Sequence, residues 1–463
     1  MELSLKNLQL LVAENEEYLN RVLVDEVQPL LGCTDITIVA LGTALAAQAA
    51  YGFIPHWVDS EAERQPFTEI DPEQVFSISI QMNEGLYKNA HATAVPNSGG
   101  HSGLVESAAL ALFCNPEKKL NLFAEVDEKQ LENMHKIISK TEITVETIQK
   151  SACNLYLRCS VTLQGKEGEG LVIGESWLEE SYTRVVSLIR NGKQLYRRTR
   201  EPTDISDWEI PLEIPILLQA LENLTPEVYQ RLEETVELNT LAYEYGLKHA
   251  PGLGIGRKFN RLIQKKLIGN DAANQAAWKT AAAEDVRMGG ENVAVMGIAS
   301  SGSHGIASSI PIIAVAQEIP KKRQRLLQSI ALSFWITQKV NSLTGFLSVP
   351  CGCVIKSGIG ATSAITYYLG GTVSQIEQAI NNFIISMAGV LCDGGKTTCS
   401  IKLANSASTA VQSAFLAIEG VQFTNETGGL VRENMNQNVK NMIQVSKSMQ
   451  NVDATIIEIL KGY

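Results

Sequence analysis

The sequence predicts an α+β protein, with an N-terminal α+β domain built on a mixed sheet and a mostly helical C-terminal domain. Three observations carry this. Residues 141–200 hold short runs rich in β-branched residues, "ITVETI", "CNLYLRCSVTLQG", "GLVIGES" and "TRVVSLI", the last closed by the turn "RNGK". From Ile210 onward the strand signals fade into long Ala/Leu/Ile patterns broken by glycine turns. A chain of 463 residues exceeds what one core needs, so two or three domains are expected.

Residues 1–65 read as a helical segment packing on the C-terminal domain. Within them Ile36 to Ile54, "ITIVALGTALAAQAAYGFI", carries no charge and is nearly long enough to span a bilayer. It is Ala/Gly-rich, holds Thr37, Thr43 and Gln48, and lacks basic flanks, so a closely packed buried helix is expected and no membrane contact. The polar link "HWVDSEAERQPFTEIDPEQ" follows. Residues 66–205 form the α+β domain. It opens with the strand-like "VFSISIQMN", then a turn "VPNSGGHSG" feeding the helix "LVESAALALF". Residues 206–463 form the helical domain. No fixed-period repeat is evident.

Hydrophobic residues at 45% and charged ones at 19% mark a globular chain. The net charge of −11 argues against nucleic-acid binding, which needs a basic face. The N-terminus has acidic residues where a secretion signal needs a basic start and an apolar run, so a cytoplasmic protein is expected. There, eight cysteines are thiols, metal ligands or catalytic groups rather than disulfides.

Three glycine-rich stretches interrupt the helical half: "MGIASSGSHGIASS", "PCGCVIKSGIGATS" and "LCDGGKTTCS". Helix starts of this kind attract carboxylates and phosphates. "GGKTT" is not a P-loop, because Val390 stands where the first glycine is needed and the preceding segment reads as helix. Cys351, Cys353, Cys392 and Cys399 lie on these glycine turns, whereas Cys114, Cys153 and Cys159 read as small core residues. Paired zinc knuckles are missing, so zinc is a weak match. An iron–sulfur cluster tolerates widely spaced thiolates, and with only three of them one iron stays open as a Lewis acid. His304, in "SSGSHGI", could donate to a carboxylate or relay a proton, or simply cap the loop; the same choice holds for His91 and His101. Cys33 sits before the uncharged helix. It is either a thiol of depressed pKa at a helix start or a buried neighbour of a cap supplied by Thr34 or Asp35.

The sequence resembles the L-cysteine desulfidase family, iron–sulfur relatives of bacterial L-serine dehydratase. The matching pieces are "LGCTD" at 31–35, "GLYKNAHATAVPNSGGHSG" at 85–103, "CNPEKKL" at 114–120, "AAAEDVRMGG" at 281–290, "SSGSHGI" at 300–306, "PCGCVIKSGIGATSAITYYLGG" at 350–371 and "LCDGGKTTCSIKLANSAS" at 391–408. The resemblance implies a [4Fe–4S] cluster and an α,β-elimination from a small amino acid, cysteine giving sulfide, pyruvate and ammonia. It implies Cys351, Cys392 and Cys399 as ligands with Cys353 spare, and Cys33 as a catalytic acid/base thiol or a ligand. It implies His304 as a catalytic group and Ser301, Gly302, Ser303, Asn97 and Lys396 on the substrate side. The partner is a small amino acid, and a homo-oligomer is expected. The sequence departs from the family pattern where Asp35-Ile36 replaces Glu-Pro, where Tyr182 and Arg184 replace His and Asn of "HTNIV", and where Ser303 replaces the Asn of "GSGN". Serine or another β-substituted amino acid is the alternative substrate. A metal-binding or sensing relative without catalysis and a zinc-site structural protein are the alternatives of other classes.

Overall fold

The computed structural model describes residues 5–62, 65–148, 155–166, 168–198, 213–345, 347–424, 426, 429–432 and 434–462, with side chains from residue 15. Cys153 lies outside the described residues. The architecture is α+β, with a mixed sheet in the N-terminal half and helices beyond it.

Among the described residues two large hydrophobic cores, with a small third cluster at Ala277, Ala281 and Ala404, divide the chain. The sheet runs in the order β3-β2-β4-β5-β6-β7, formed by β2 (Val75–Asn83), β3 (Glu142–Ile148), β4 (Tyr156–Gln164), β5 (Leu171–Glu179), β6 (Val185–Arg190) and β7 (Lys193–Arg197). β2 and β3 are parallel and the other neighbours antiparallel. The parallel pair needs a long crossover, supplied by α3 (Glu84–Ala90), α4 (Leu104–Ala111) and α5 (Glu128–Lys140). Asn191 and Gly192 close the last hairpin with φ of 47° and 75°, the left-handed pair a tight two-residue turn demands.

The uncharged helix is α2 (Thr34–Ala49), buried at every position except Asp35. It lies on the sheet at close range, which its small residues permit. A Cβ at Gly174 would stand 2.0 Å from the Ala46 carbonyl oxygen, and one at Gly42 would meet Leu157 and Cys159 below 3.0 Å. Ser176 Oγ donates to the Gly42 carbonyl at 2.7 Å. The first 65 residues therefore do not act as one segment on the helical half. Their helix α1 (Leu5–Glu26) packs there, with Trp335 Nε1 donating to the Leu19 carbonyl at 2.9 Å, whereas α2 packs on the sheet. The all-round apolarity of α2 suits either core equally; the glycines of the sheet decide it.

The helical half comprises α6 (Ile214–Ala220), α7 (Pro226–His249), α8 (Ile255–Gln264), α9 (Ala272–Met288), α10 (Gly302–Glu318), α11 (Arg323–Thr344), α12 (Gly352–Leu369), α13 (Val373–Met387), α14 (Cys399–Ile418), α15 (Met435–Ser448) and α16 (Gln450–Lys461). α9 packs against α7, α10 and α14 and is buried over most of its length. Two short strands join the halves: β1 (Gln28–Leu30) pairs antiparallel with β8 (Val295–Gly297). Cys33 follows β1 beyond the end where Leu30 pairs with Val295, and the Ser301–His304 stretch follows β8 beyond the end where Gly297 pairs with Gln28, so the ladder fixes both segments on one joint between the halves. No helix among the described residues is long and apolar enough to cross a membrane.

Candidate functional site

The glycine-turn cysteines converge because their chain segments pair. Pro350 bridges Leu391, Cys351 N donates to the Val390 carbonyl and Cys392 N to the Val349 carbonyl, each at 2.8 Å. This short ladder lays Cys351 beside Cys392. Cys351 then caps α12, which puts Cys353 in its first turn. Cys399 opens α14 and points its Sγ at the Gly394 carbonyl, 3.6 Å away.

The Gly394-Gly395 turn fits only as glycine. A Cβ at Gly394 would sit 2.3 Å from the Lys88 carbonyl oxygen; one at Gly395 would sit 2.7 Å from the Asn89 carbonyl and 3.5 Å from Cys33 Sγ. Gly395 N donates to the Asn89 carbonyl at 3.0 Å, and Thr93 Oγ1 donates to the Gly395 carbonyl at 2.7 Å. The turn from the helical half is thus docked on the end of α3 and against Cys33. Asn89 links the two sides: its Oδ1 faces Cys392 Sγ at 3.6 Å and its Nδ2 faces Asp35 Oδ2 at 3.4 Å. Asp35 also accepts from Tyr182 OH at 2.7 Å and lies 3.7 Å from Cys33 Sγ. Two positions that depart from the family pattern, Asp35 and Tyr182, are hydrogen-bonded to each other.

α9 and α10 supply the third wall. Ser301 caps α10 by accepting from His304 N at 3.4 Å, after two non-glycine residues, Ala299 and Ser300, held at positive φ. Ser303 Oγ accepts from Arg287 Nη1 at 2.7 Å and donates to Glu284 Oε1 at 2.6 Å. Arg287 and Glu284 are both sealed from solvent. Arg287 Nε, Glu284 Oε2 and His304 Nδ1 are buried without a hydrogen-bond partner.

The electrostatics follow from these neighbours. The Cys351 thiol, which bonds to Cys353 and to Cys392, is pushed well above the ordinary thiol range. Cys353 is held well below it by the bond from Cys351, with His304 and Arg287 adding to the effect. Cys392 is lowered to about 7 by Cys351, with Lys88 contributing. Burial raises Cys399, and Glu284 adds to it. Burial also lowers Lys356 to about 8, while the three nearby thiols pull it back up; its Nζ donates to Asn341 Oδ1 at 2.9 Å and to the Gly345 carbonyl at 2.6 Å. Lys88, buried in α3, is paired with Asp453 of α16 at 2.5 Å. Three buried cations, Lys88, Lys356 and Arg287, therefore stand around the thiols. Among the described residues no group of three or more His, Cys, Asp or Glu side chains is arranged to hold a single metal ion.

The structure brings together Cys33, Ser303, His304, Cys351, Cys353, Cys392 and Cys399. Asn97 and Lys396 have other engagements. Asn97 Nδ2 donates to the carbonyl of Phe123 at 3.2 Å, while Lys396 Nζ donates to the Asp393 carbonyl at 2.8 Å and pairs with its carboxylate at 3.1 Å. Of the two readings of Cys33, a depressed thiol or a buried neighbour of the cap, the surroundings do not produce the first. Burial pushes its thiol up to about 12, the Asp35 carboxylate adds to this, and the pull of Arg287 and two backbone donors is too small to reverse it. Neither Thr34 nor Asp35 caps α2; Cys33 holds the N-cap position with no side-chain cap bond. Asn89, Glu284, Arg287 and Lys356 stand at the site without having been singled out from the sequence. Glu284 and Arg287 stand in "AAAEDVRMGG", where charges one helical turn apart inside an alanine-rich run were the available signal.

The model of the serine dehydratase alpha chain family matches residues 117–458. The chain belongs to that family. The match takes in Tyr182, α9, α10 and all four glycine-turn cysteines, while Cys33, Asp35 and Asn89 lie upstream of it. Relatives extend further. A UPF0597 protein of Desulfotalea psychrophila is 32% identical over 95% of this chain and 97% of its own length. A UPF0597 protein of Desulfatibacillum aliphaticivorans is 31% identical over 95% and 97%, and one of Clostridium botulinum 30% identical over 90% of each. Membership of the serine dehydratase alpha chain family is consistent with a lyase acting in amino-acid catabolism.

Proposed function

We propose that this protein is an iron–sulfur-dependent amino-acid lyase that catalyses α,β-elimination, with L-cysteine as the first substrate. The observation that supports it most is the meeting of the glycine-turn thiols with Cys33 and His304 inside one ring of buried cations. The donor set suits a [4Fe–4S] cluster. Thiols from separate segments are aligned by backbone pairing, and cations offset the negative charge that a thiolate-bound cluster concentrates. Cys351, Cys392 and Cys399 would hold it. When bound, the cluster would supply an open iron as a Lewis acid for the leaving group.

The chain's own residues do the rest. Cys33 rests as a thiol and acts first as acid and then as base: its proton goes to the departing sulfide, and the thiolate left behind takes the proton from the substrate's Cα, with Asp35, Tyr182 and Asn89 fixing its position. Loss of the Cα proton and breakage of the Cβ–S bond release sulfide and aminoacrylate. Tautomerisation and water then give pyruvate and ammonia. His304 and Ser303 line the substrate side. L-Serine is the second reading, favoured by the name of the matching family. Self-association and a cytoplasmic location complete the proposal. The test is anaerobic isolation with iron and sulfide analysis, followed by pyruvate release from L-cysteine and L-serine. About four iron per chain with pyruvate from either amino acid is expected. Iron without turnover would make the chain a cluster-binding relative; zinc instead of iron would end the proposal.

A further inference from the structure

We infer that Arg287 and Glu284 form an amino-acid recognition pair, the guanidinium taking the α-carboxylate and the glutamate the α-ammonium of a zwitterionic ligand. This deepens the lyase reading and rests on it for the identity of the site.

The two side chains stand on α9, one turn apart, and both are sealed from solvent. As a structural ion pair they are incomplete. Arg287 Nη1 and Glu284 Oε1 are 3.9 Å apart, too far for the closed, charge-assisted geometry near 2.8 Å that such pairs adopt. Ser303 Oγ stands between them and bonds to both. Each keeps an unused polar atom, Nε on the arginine and Oε2 on the glutamate. A buried polar group left unpaired is costly, more so when it is charged, so two such atoms on a neighbouring acid and base call for a ligand.

The surroundings are built for this. A Cβ at Gly302 would stand 2.5 Å from Arg287 Nε and 3.0 Å from its Cδ, so only glycine lets the guanidinium lie against the start of α10. His304, on the next turn, also has a buried unpartnered nitrogen. Cys33, Cys353 and Asp35 are close enough to act on the Arg287 charge, which sets the pair beside the thiols. A ligand with one carboxylate and one ammonium would satisfy both orphaned atoms at once. A simple anion would leave Glu284 unanswered, and an amine would leave Arg287 so. Arginine also presents two parallel donors, which match a carboxylate better than a lysine does.

The test uses calorimetric titration of the anaerobic full-length protein with ligands that have no β-leaving group: L-alanine, L-alaninamide and propionate. Wild type is expected to bind L-alanine roughly 10- to 100-fold tighter than the other two, the range expected for a charged hydrogen-bonded contact. Arg287→Gln should bind L-alanine and L-alaninamide alike, and Arg287→Lys should show a preference for L-alanine clearly smaller than that of wild type. Glu284→Gln should bind L-alanine and propionate alike. If Arg287→Gln fails to fold, Arg287→Lys keeps the charge and still loses the bidentate edge. Arg287 variants that retain the wild-type preference for L-alanine over L-alaninamide would overturn the pair, as would a wild type indifferent to the carboxylate. Turnover of cysteine and serine, measured separately, judges the lyase reading. Discrimination without turnover would keep this pair and remove the reaction, and turnover without discrimination would do the reverse.

Discussion

Cysteine is used in two different ways in the two halves of the molecule. In the sheet half, Cys114 and Cys159 fill the core. Their sulfurs meet the Leu110 carbonyl at 3.4 Å and the Thr43 hydroxyl at 3.8 Å, and burial drives both thiols up to about 12. In the helical half, Cys351, Cys353 and Cys392 face one another and three cations. There Cys353 falls well below the ordinary range and Cys392 to about 7. In the same cluster Cys351, which donates to both of them, is pushed up, as is Cys399; lack of solvent alone therefore makes an inert thiol, and only a thiol that accepts a bond or faces a cation is drawn toward thiolate. Cys33 belongs to the first group by its pKa and to the second by its place, which suits a thiol that holds its proton until a ligand arrives.

The largest effect that could break this comparison is loss of the cofactor. Cys392→Ser and Cys399→Ser are expected to abolish iron binding and turnover in anaerobic preparations, while Cys159→Ala keeps both. Cys351→Ala should lose iron and Cys353→Ala largely retain it. Full iron in both the Cys392 and Cys399 variants would show that the glycine-turn thiols are core residues like the others. The reverse result for Cys351 and Cys353 would exchange their roles.

Next in size is Cys33. Cys33→Ala is expected to keep its iron and lose on the order of 10²- to 10⁴-fold in turnover, the span of a single acid/base group. Its resting thiol also fixes a chemical signature. In metal-free protein at pH 8, iodoacetamide should label Cys392 well before Cys33, since one thiol sits near 7 and the other near 12. Labelling of Cys33 should rise only at strongly alkaline pH. Equal rates at pH 8 would place Cys33 with the activated thiols.

Much of this arrangement was legible in the sequence, and the part that was not is of one physical kind. Runs of β-branched residues marked strands of the sheet, and "RNGK" marked the hairpin at Asn191-Gly192, because both are local rules. The glycine turns marked the cysteines for the same reason: Gly394 and Gly395 are glycine because another backbone lies against them. The β1–β8 ladder, the docking of α2 on the sheet and the Asp35–Tyr182 bond join residues far apart in the chain, and no local pattern announces them. Asp35 and Tyr182, each read alone, look like erosion of a motif. Their contact makes them one unit. Asp35→Ala and Tyr182→Phe should each lower turnover by roughly 10-fold, since small displacements of a reacting group are costly. The double variant should be little worse than either single one, because both remove the same bond. Losses that multiply would show two independent roles.

The smallest effect concerns the inert cysteines themselves. Cys159→Ala removes one sulfur from beside Gly42 and Thr43 and should cost about 1–2 kcal/mol at neutral pH, with iron unchanged. Its pH dependence is the sharper measure. The folded thiol is raised to about 12, above its value in the unfolded chain, near 8.5. Below the unfolded value both states hold the proton, and the thiol's contribution is complete. As pH rises, the unfolded chain ionises first and gains stability, so the folded state loses about 1.4 kcal/mol per pH unit from this group until about pH 12. The wild type should therefore lose stability between pH 8 and pH 10 more steeply than Cys159→Ala, read from denaturant midpoints at matched slopes. At high pH the variant's deficit narrows. Parallel curves would mean that Cys159 ionises as readily in the fold as out of it, and burial would no longer separate the two groups of cysteines.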